Sequence, residues 1–195
     1  MISFSNLRKR AFTILELMVV ITIIIILAGL VLSISTYVQN KAARSRAEAE
    51  IAAMSAALES YRADNGIYPR DNTTNQYTDT LDAKASSSFN ATPSPSPNAY
   101  TNAAFYLFSE LSGLDASQQP IANKKSYFSF KPQMLGHPNG NTITVAYIRD
   151  PFGNSYGYST ANQASSVKGY NPTFDMWSTA NDISGNASAR WVKNW

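Results

Sequence analysis

One long apolar run dominates the pattern of hydrophobic and polar positions along the chain. Residues 11–35, AFTILELMVVITIIIILAGLVLSIS, contain Glu16 as their only charged side chain. About twenty apolar residues in a helix that rises 1.5 Å per residue span a hydrocarbon core of about 30 Å. The run therefore predicts a membrane-spanning helix. It exceeds the roughly 7–15 apolar residues of a cleaved secretory signal, and no small-residue cleavage pattern follows it closely.

Helical periodicity continues beyond this run, through residues 36–65. Apolar side chains recur at three- and four-residue steps on one face: Val38, Ala42, Ala49, Ile51, Met54, Leu58 and Tyr61. The opposite, solvated face carries i,i+4 charge pairs: Arg44 with Glu48, and Arg46 with Glu50. Gly66 has the position of a residue that ends a helix, and Pro69 prevents any continuation. The pattern predicts one helix from about residue 12 to residue 65, with its second half packed on a head domain.

The remaining residues, 66–195, predict a small head that contains both helix and sheet. Asn102 is placed to cap a second short helix, which Gly113 would end. Segments with alternating β-branched or aromatic residues predict strands: 126–130, 142–148, 155–159 and 173–178. The Asp-Pro-Phe-Gly-Asn sequence at 150–154 predicts a turn. Segment 84–101 is rich in Ser, Pro and Asn and predicts a flexible, exposed insertion.

The positive charge of the chain is concentrated in one cluster before the apolar run. The sequence has sixteen Lys and Arg residues against thirteen Asp and Glu, and Arg8, Lys9 and Arg10 account for the whole excess. A basic cluster beside an apolar segment is the signal that keeps that end of the chain in the cytoplasm. A nucleic-acid-binding domain would instead carry its basic residues over one face. The charge pattern predicts a single-pass topology and no nucleic-acid partner.

Candidate catalytic chemistry is sparse. The chain has no cysteine, which excludes disulfides, thiol catalysis and cysteine-type zinc sites, and its one histidine, His137, lies in a turn-like stretch. The sequence contains no nucleophile elbow, no phosphate-binding Gly-Lys motif and no metal-binding histidine spacing. These observations predict a structural subunit and not an enzyme.

The N-terminal sequence RKRAFTILELMVV resembles the leader and first helix of type IV pilins and type II secretion pseudopilins. The shared features are a basic leader, a small residue, Phe-Thr, and a glutamate five residues after the junction. The resemblance implies that prepilin peptidase cuts between Ala11 and Phe12 and that the new amino group of Phe12 is N-methylated. Two features depart from the family pattern, which usually has Gly at the position of Ala11 and a proline within the apolar helix.

Glu16 needs an explanation, because a carboxylate near the middle of a bilayer costs about 2.5 to 3.5 kcal/mol on insertion scales. A plain signal anchor would leave this penalty without a purpose. The resemblance implies that, in a fibre of staggered subunits, the Glu16 carboxylate meets the Phe12 amino group of a neighbour. Breaking such a buried pair typically costs about 3 to 5 kcal/mol. Glu16 is therefore expected to set the register of assembly.

The C-terminal sequences YIRDPFGNSYGYS and YNPTFDMWSTANDISG are similar to those of the major pseudopilin of type II secretion. That resemblance implies a calcium ion in the loop after the last of these strands, bound by oxygen ligands. The candidate ligands here are Ser178, Asn181 and Asp182, and the acidic cluster of the family is thinned out. The alternative is that aromatic packing holds this loop, through Trp177, Trp191 and Trp195.

Together the residues and the resemblance imply an α+β, type IV pilin-like fold: a long N-terminal helix, about residues 12–65, packed on a head with a small antiparallel sheet. The expected organisation is a cleaved leader (1–11), a membrane and fibre-core half of the helix (12–35), an amphipathic half (36–65) and a periplasmic head (66–195).

The implied function is that of a subunit that polymerises through this helix into the type II secretion pseudopilus. The implied location is the bacterial inner membrane, with a cytoplasmic N-terminus, and then the fibre. The implied partners are other pseudopilins, prepilin peptidase and the inner-membrane assembly platform. Two alternatives remain at this point: a type IV pilus subunit on the cell surface, for adhesion, motility or DNA uptake, and a signal-anchored periplasmic monomer that binds a ligand.

Overall fold

The computed structural model of the chain describes residues 12–71, 77–85, 98–138, 143–182 and 189–195, with the side chains of residues 31–34 excepted. The helices are α1 (Ile14–Asn65), α2 (Tyr77–Thr80), α3 (Ala99–Ser112) and α4 (Ala161–Ala164), and Pro132–Met134 form a 3-10 turn. The strands are β1 (Leu135–Gly136), β2 (Tyr147–Ile148), β3 (Gly157–Ser159), β4 (Asp175–Ser178) and β5 (Val192–Lys193). The chain divides into two compact units, Met1–Ala42 and Ala43–Trp195.

Helix α1 is 52 residues long and confirms the predicted N-terminal helix. It ends where the sequence predicts. Gly66 adopts φ +79°, a left-handed conformation that glycine accepts without a Cβ penalty. The Gly66 N–H donates to the carbonyl oxygen of Arg62 at 2.7 Å, which satisfies one of the last carbonyls of the helix.

The second unit has its main core between α1, α3 and the strands. The α1 side chains that it buries are Ala47, Ile51, Met54, Ala57 and Leu58. This confirms the predicted stripe from Ile51 onward, whereas Val38, Ala42 and Ala49, predicted on the same face, are exposed. At 100° per residue, Ala49 lies about 200° around the helix from Ala47, on the opposite side.

Glu50 corrects a prediction, because it is buried and does not lie on a solvated face. Its side chain accepts hydrogen bonds from Arg46 Nε at 2.7 Å and from the Tyr156 hydroxyl at 2.8 Å. Burial and the Glu50 charge both raise the pKa of Tyr156 well above its ordinary value, so the phenol stays protonated and donates. The predicted Arg46–Glu50 pair is therefore present, but it has become part of the interior.

Helix α3 starts earlier than predicted and ends as predicted. Its N-cap is Asn98, whose side chain accepts from the Thr101 N–H while the Thr101 side chain binds back to the Asn98 backbone. Asn102 consequently lies inside the helix. Gly113, at φ +72°, ends α3 with its N–H on the Ser109 carbonyl oxygen. Residues 99–101, the last of the predicted insertion, thus belong to α3, and residues 86–97 lie outside the described residues.

Two small antiparallel sheets form the β structure of the described residues, which confirms the α+β class. In the first sheet β1 pairs with β2, with Leu135 opposite Ile148. The second has the order β3-β4-β5, with Gly157 opposite Trp177 and Trp177 opposite Lys193. A Cβ on Gly157 would lie 2.2 Å from the Trp177 ring, so glycine at this position lets the indole lie against the neighbouring strand.

The observed strands are shorter than the predicted ones, and one prediction was wrong. β2, β3 and β4 lie within the predicted segments 142–148, 155–159 and 173–178. Segment 126–130 forms no strand. The backbone N–H groups of Tyr127 and Phe128 both donate to the Leu111 carbonyl oxygen near the end of α3, at 2.7 and 2.9 Å. Since those donors close the helix end, they are not available for a β ladder.

We expect Tyr156→Phe to destabilise the head, because it leaves the buried Glu50 carboxylate without its phenol donor. Hydrogen bonds to charged groups contribute about 1.5 to 3 kcal/mol. The measurement is urea unfolding of the full chain in detergent, followed by near-UV circular dichroism. Tyr37→Phe is the matched control, because Tyr37 is 68% exposed. Equal unfolding midpoints for the two variants would show that the Glu50–Tyr156 contact does not stabilise the fold.

Candidate functional site

The first turn of α1 is closed by a reciprocal pair of side chains, Thr13 and Glu16. The Glu16 N–H donates to Thr13 Oγ1 at 3.2 Å, and the Thr13 N–H and hydroxyl both donate to Glu16 Oε2 at 3.0 Å. This is a capping box, which satisfies backbone donors that the helix itself leaves unpaired. Sequence reasoning missed it, although the Thr-x-x-Glu spacing is its recognised signature.

The capping box decides where the Glu16 carboxylate points. It lies at the N-terminal end of the helix, where the helix dipole favours a negative charge. Its second oxygen, Oε1, receives no hydrogen bond from any residue that the structure describes. The carboxylate is therefore held by one oxygen and presents the other at the end of the helix.

The apolar part of α1 is uncovered. Its large side chains from Phe12 to Leu30 have exposed fractions between 47% and 81%. By length and composition the helix is able to cross a membrane. A continuous apolar surface of this extent marks a membrane or protein interaction site. The remaining predicted N-terminal positions, Arg8, Lys9, Arg10 and Ala11, lie outside the described residues.

The three candidate calcium ligands lie at the end of β4 and in the connection to β5. Ser178 is buried, and its hydroxyl donates to Asp150 Oδ2 at 2.6 Å. Asn181 Oδ1 accepts from Asn154 Nδ2 at 2.9 Å. The backbone carbonyl of Asp182 accepts from the Trp191 indole N–H at 3.0 Å. Each candidate residue therefore already serves in a hydrogen bond between protein groups.

Asp150 is a residue of this site that the sequence assigned only to a turn. Its Oδ1 accepts the backbone N–H groups of Phe152 and Asn154 at 3.0 and 2.8 Å, and Oδ2 accepts the Ser178 hydroxyl. Burial raises the pKa of the Asp150 carboxyl, and these hydrogen bonds partly oppose that shift. The Asp-Pro-x-Gly sequence indicated the turn, but no local signal indicated its partner on β4.

Aromatic side chains pack around the same strands, as the alternative to calcium predicted. The indoles of Trp177 and Trp191 are parallel, with ring centroids 5.9 Å apart. Trp195 meets Trp177 nearly edge-on at 5.8 Å and stacks on Tyr170 at 4.6 Å. Trp177 and Trp191 belong to a second buried cluster with Tyr100. Both ends of the β4–β5 connection are thereby attached to the sheet.

The three candidate calcium ligands, Ser178, Asn181 and Asp182, do not fit a calcium site. Calcium takes six to eight oxygen ligands, several of them carboxylates. Of the three candidates only Asp182 has a carboxylate, and the Ser178 hydroxyl and the Asn181 side-chain oxygen already take part in hydrogen bonds. Among the residues that the structure describes, no group of three or more His, Cys, Asp or Glu side chains is placed to hold a metal ion.

Comparison with known proteins gives matches at the N-terminus and along part of the chain. The family model of the prokaryotic N-terminal methylation motif matches residues 6–32. The chain is similar to the type II secretion system core protein G of Aeromonas hydrophila, with 38% identity over 50% of this chain and 62% of that protein. For the core protein G of Escherichia coli (strain K12), identity is 43% over 38% of this chain and 49% of the relative.

A third relative, the core protein G of Pectobacterium carotovorum subsp. carotovorum, is 43% identical over 33% of this chain and 42% of its own length. The chain therefore spans about half the length of the curated relatives it matches. No solved structure matches at the same level of significance.

These matches confirm the resemblance to type IV pilins and pseudopilins, and among them to the major pseudopilin. The relatives are named as core proteins of a secretion system, which supports a structural subunit in place of an enzyme. The methylation motif and the apolar α1 also fit anchoring in the inner membrane.

We expect the Asp150–Ser178 contact to be energetically coupled. Ser178→Ala leaves a buried carboxylate short of a donor and should cost about 1 to 3 kcal/mol of unfolding free energy. Asp150→Ala should cost more, because it also strands the two turn N–H groups. The double variant should lose less than the sum, since each single change already removes the shared bond.

The measurement is a double-mutant cycle by urea unfolding of the full chain in detergent. Ser166→Ala is the control, because Ser166 is exposed and its change should stay within about 0.5 kcal/mol. Additive losses in the double variant would mean that the two side chains stabilise the head independently.

Proposed function

We propose that this chain is a structural subunit of the type II secretion pseudopilus, which polymerises through α1 and serves protein export. The observation that carries the proposal is the Glu16 carboxylate. It stands at the first turn of an exposed apolar helix, within a matched methylation motif, with Oε1 unused by the described residues. The relatives are named as core proteins of a type II secretion system, which favours a role in secretion over one in a surface pilus.

Assembly begins with processing. Prepilin peptidase cuts between Ala11 and Phe12 on the cytoplasmic side, where Arg8, Lys9 and Arg10 retain the leader. The new α-amino group of Phe12 is then methylated. The match to the methylation motif over residues 6–32, which include this junction, supports processing at this position.

Polymerisation then joins the amine of one subunit to the carboxylate of the next. Each charge alone is costly in a low-dielectric environment, and pairing offsets that cost. The capping box supports this role, because it leaves Glu16 Oε1 at the helix end for the Phe12 amine of a neighbour. The exposed side chains of Phe12 to Leu30 bury one another in the fibre as they leave the lipid.

The proposed organisation follows from these steps. Residues 1–11 are the leader, 12–35 the membrane and fibre-core segment, 36–65 the amphipathic half of α1, and 66–195 the periplasmic head. The subunit starts as a single-pass protein of the inner membrane with a cytoplasmic N-terminus. Its partners are other pseudopilins, prepilin peptidase and the assembly platform of the inner membrane.

Two measurements test processing and pairing separately. Mass spectrometry of the mature protein should find methylated Phe12 at its N-terminus. Glu16→Ala should be cleaved normally and fail to form fibres, because a loss of about 3 to 5 kcal/mol per contact weakens association by about 100- to 5,000-fold. Glu48→Ala, which removes an exposed carboxylate of the same helix, is the matched control and should assemble normally.

Three results would contradict processing, pairing or the role in secretion. An intact Met1 in the exported protein would favour the signal-anchored monomer. Wild-type fibre yield from Glu16→Ala would refute the pairing. Loss of the chain should abolish export of secreted proteins; if export persists and surface filaments disappear instead, the chain is a type IV pilus subunit.

A further inference from the structure

We propose that protein groups hold the two described parts of the connection between β4 and β5, residues 179–182 and 189–191, and that the head of this chain therefore folds and stays folded without calcium. Of this connection, residues 179–182 and 189–191 are described. The inference goes beyond the proposed function, because it concerns what stabilises the head of a single subunit and would hold for a pilus subunit as well.

The first attachment lies at the start of the connection. The Ser178 hydroxyl donates to Asp150 at 2.6 Å and accepts the Ala180 N–H at 3.2 Å. Asn181 then binds Asn154 through their side chains at 2.9 Å. The turn at 150–154 is thus bonded once to the last residue of β4 and once to the connection. The Asp150 carboxylate accepts three hydrogen bonds, from the Phe152 and Asn154 N–H groups and the Ser178 hydroxyl. A metal ion would have to displace these donors to bind it.

The left-handed backbone at Ala180 and Asn181, with φ of +49° and +66°, is held by these contacts. Such conformations are uncommon outside glycine and persist only where their surroundings enforce them. Here the Asp182 N–H also donates to the Thr179 carbonyl oxygen at 2.8 Å, which closes the turn.

The second attachment lies at the far end of the connection. The Trp191 indole N–H donates to the carbonyl oxygen of Asp182 at 3.0 Å, so the two ends of the connection are bonded to each other. Trp191 is itself buried and parallel to Trp177. An aromatic pair of this kind adds about 0.5 to 1.5 kcal/mol beyond the burial of its area.

The third attachment brings a positive charge from α1. The Arg44 guanidinium donates to the backbone carbonyl oxygen of Arg190. A carbonyl oxygen in such a loop is the kind of group that calcium would otherwise bind. The side chain of Arg44 therefore supplies, as a permanent part of the protein, a cation at the loop backbone.

The charge balance opposes a divalent ion at the same place. Residues 179–191 contain one acid, Asp182, and one base, Arg190, and residues 183–188 contain neither Asp nor Glu. Arg44 and Asp150 contact this region from outside the connection, so the four charges sum to zero. Calcium would add two positive charges where the two carboxylates are already matched in number by two arginines.

The test is thermal unfolding of the full chain in detergent, followed by near-UV circular dichroism, in EGTA and in excess calcium chloride. We expect the two Tm values to agree within about 1 °C. Arg44→Gln should lower Tm by about 2 to 6 °C equally in both buffers, since its loss removes a charge-assisted bond. Lys41→Gln is the matched control: Lys41 is an exposed base three residues earlier in α1, and its loss should leave Tm unchanged.

A calcium site would give the opposite result. At a calcium concentration one hundredfold above Kd, Tm would rise by about 5 to 10 °C, and Asp182→Asn would abolish that rise. Calorimetric titration of the wild-type chain with calcium alone decides the question even if Arg44→Gln does not fold: a saturable heat that Asp182→Asn removes would overturn the proposal.

Discussion

The apolar run of α1 contains one carboxylate, Glu16, and the placement of that charge governs what this molecule can do. Glu16 has one partner within the chain, and a second partner is proposed between chains. Within the chain, Thr13 and the first N–H groups of α1 take one of its oxygens. Between chains, the proposed amine of a processed neighbour takes the other. The uncovered apolar surface that follows Glu16 marks a membrane or protein interaction site, where a carboxylate without a partner is costly.

The head contacts one face of the second half of α1 through polar as well as apolar side chains. Three tyrosine hydroxyls donate to glutamates at or near α1, each glutamate with a basic partner: Tyr156 to Glu50 beside Arg46, Tyr61 to Glu110 beside Lys124, and Tyr68 to Glu59 beside Arg62. A phenol adds apolar area and a donor in one side chain. These contacts specify how the part of α1 from Ala43 onward packs on the head, which a stripe of alanines and leucines would leave less defined.

The elements that could be predicted from the sequence are those that depend on neighbouring residues. The span of α1, its end at Gly66, the end of α3 at Gly113 and the turn at 150–154 all follow from local periodicity and turn chemistry. One prediction, the strand at 126–130, was wrong because a tertiary contact overrides the local pattern. Segment 126–130 has the composition of a strand, yet its N–H groups close the end of α3. The calcium candidates stay a prediction of the resemblance, and no local pattern indicated that the side chains of Ser178 and Asn181 bond to Asp150 and Asn154.

The membrane-length helix, the isolated Glu16 and the likeness to pseudopilins can all be recognised without a structure, because length, hydropathy and motif spacing are properties of consecutive residues. Three features are seen only in the folded chain: Glu50 is buried, Asp150 is bonded to β4, and Arg44 contacts the β4–β5 connection. The partners in the first two contacts are 106 and 28 residues apart, and the Arg44 contact spans 146 residues. A pairing over such distances is set by how elements pack, and no local pattern of side chains encodes it.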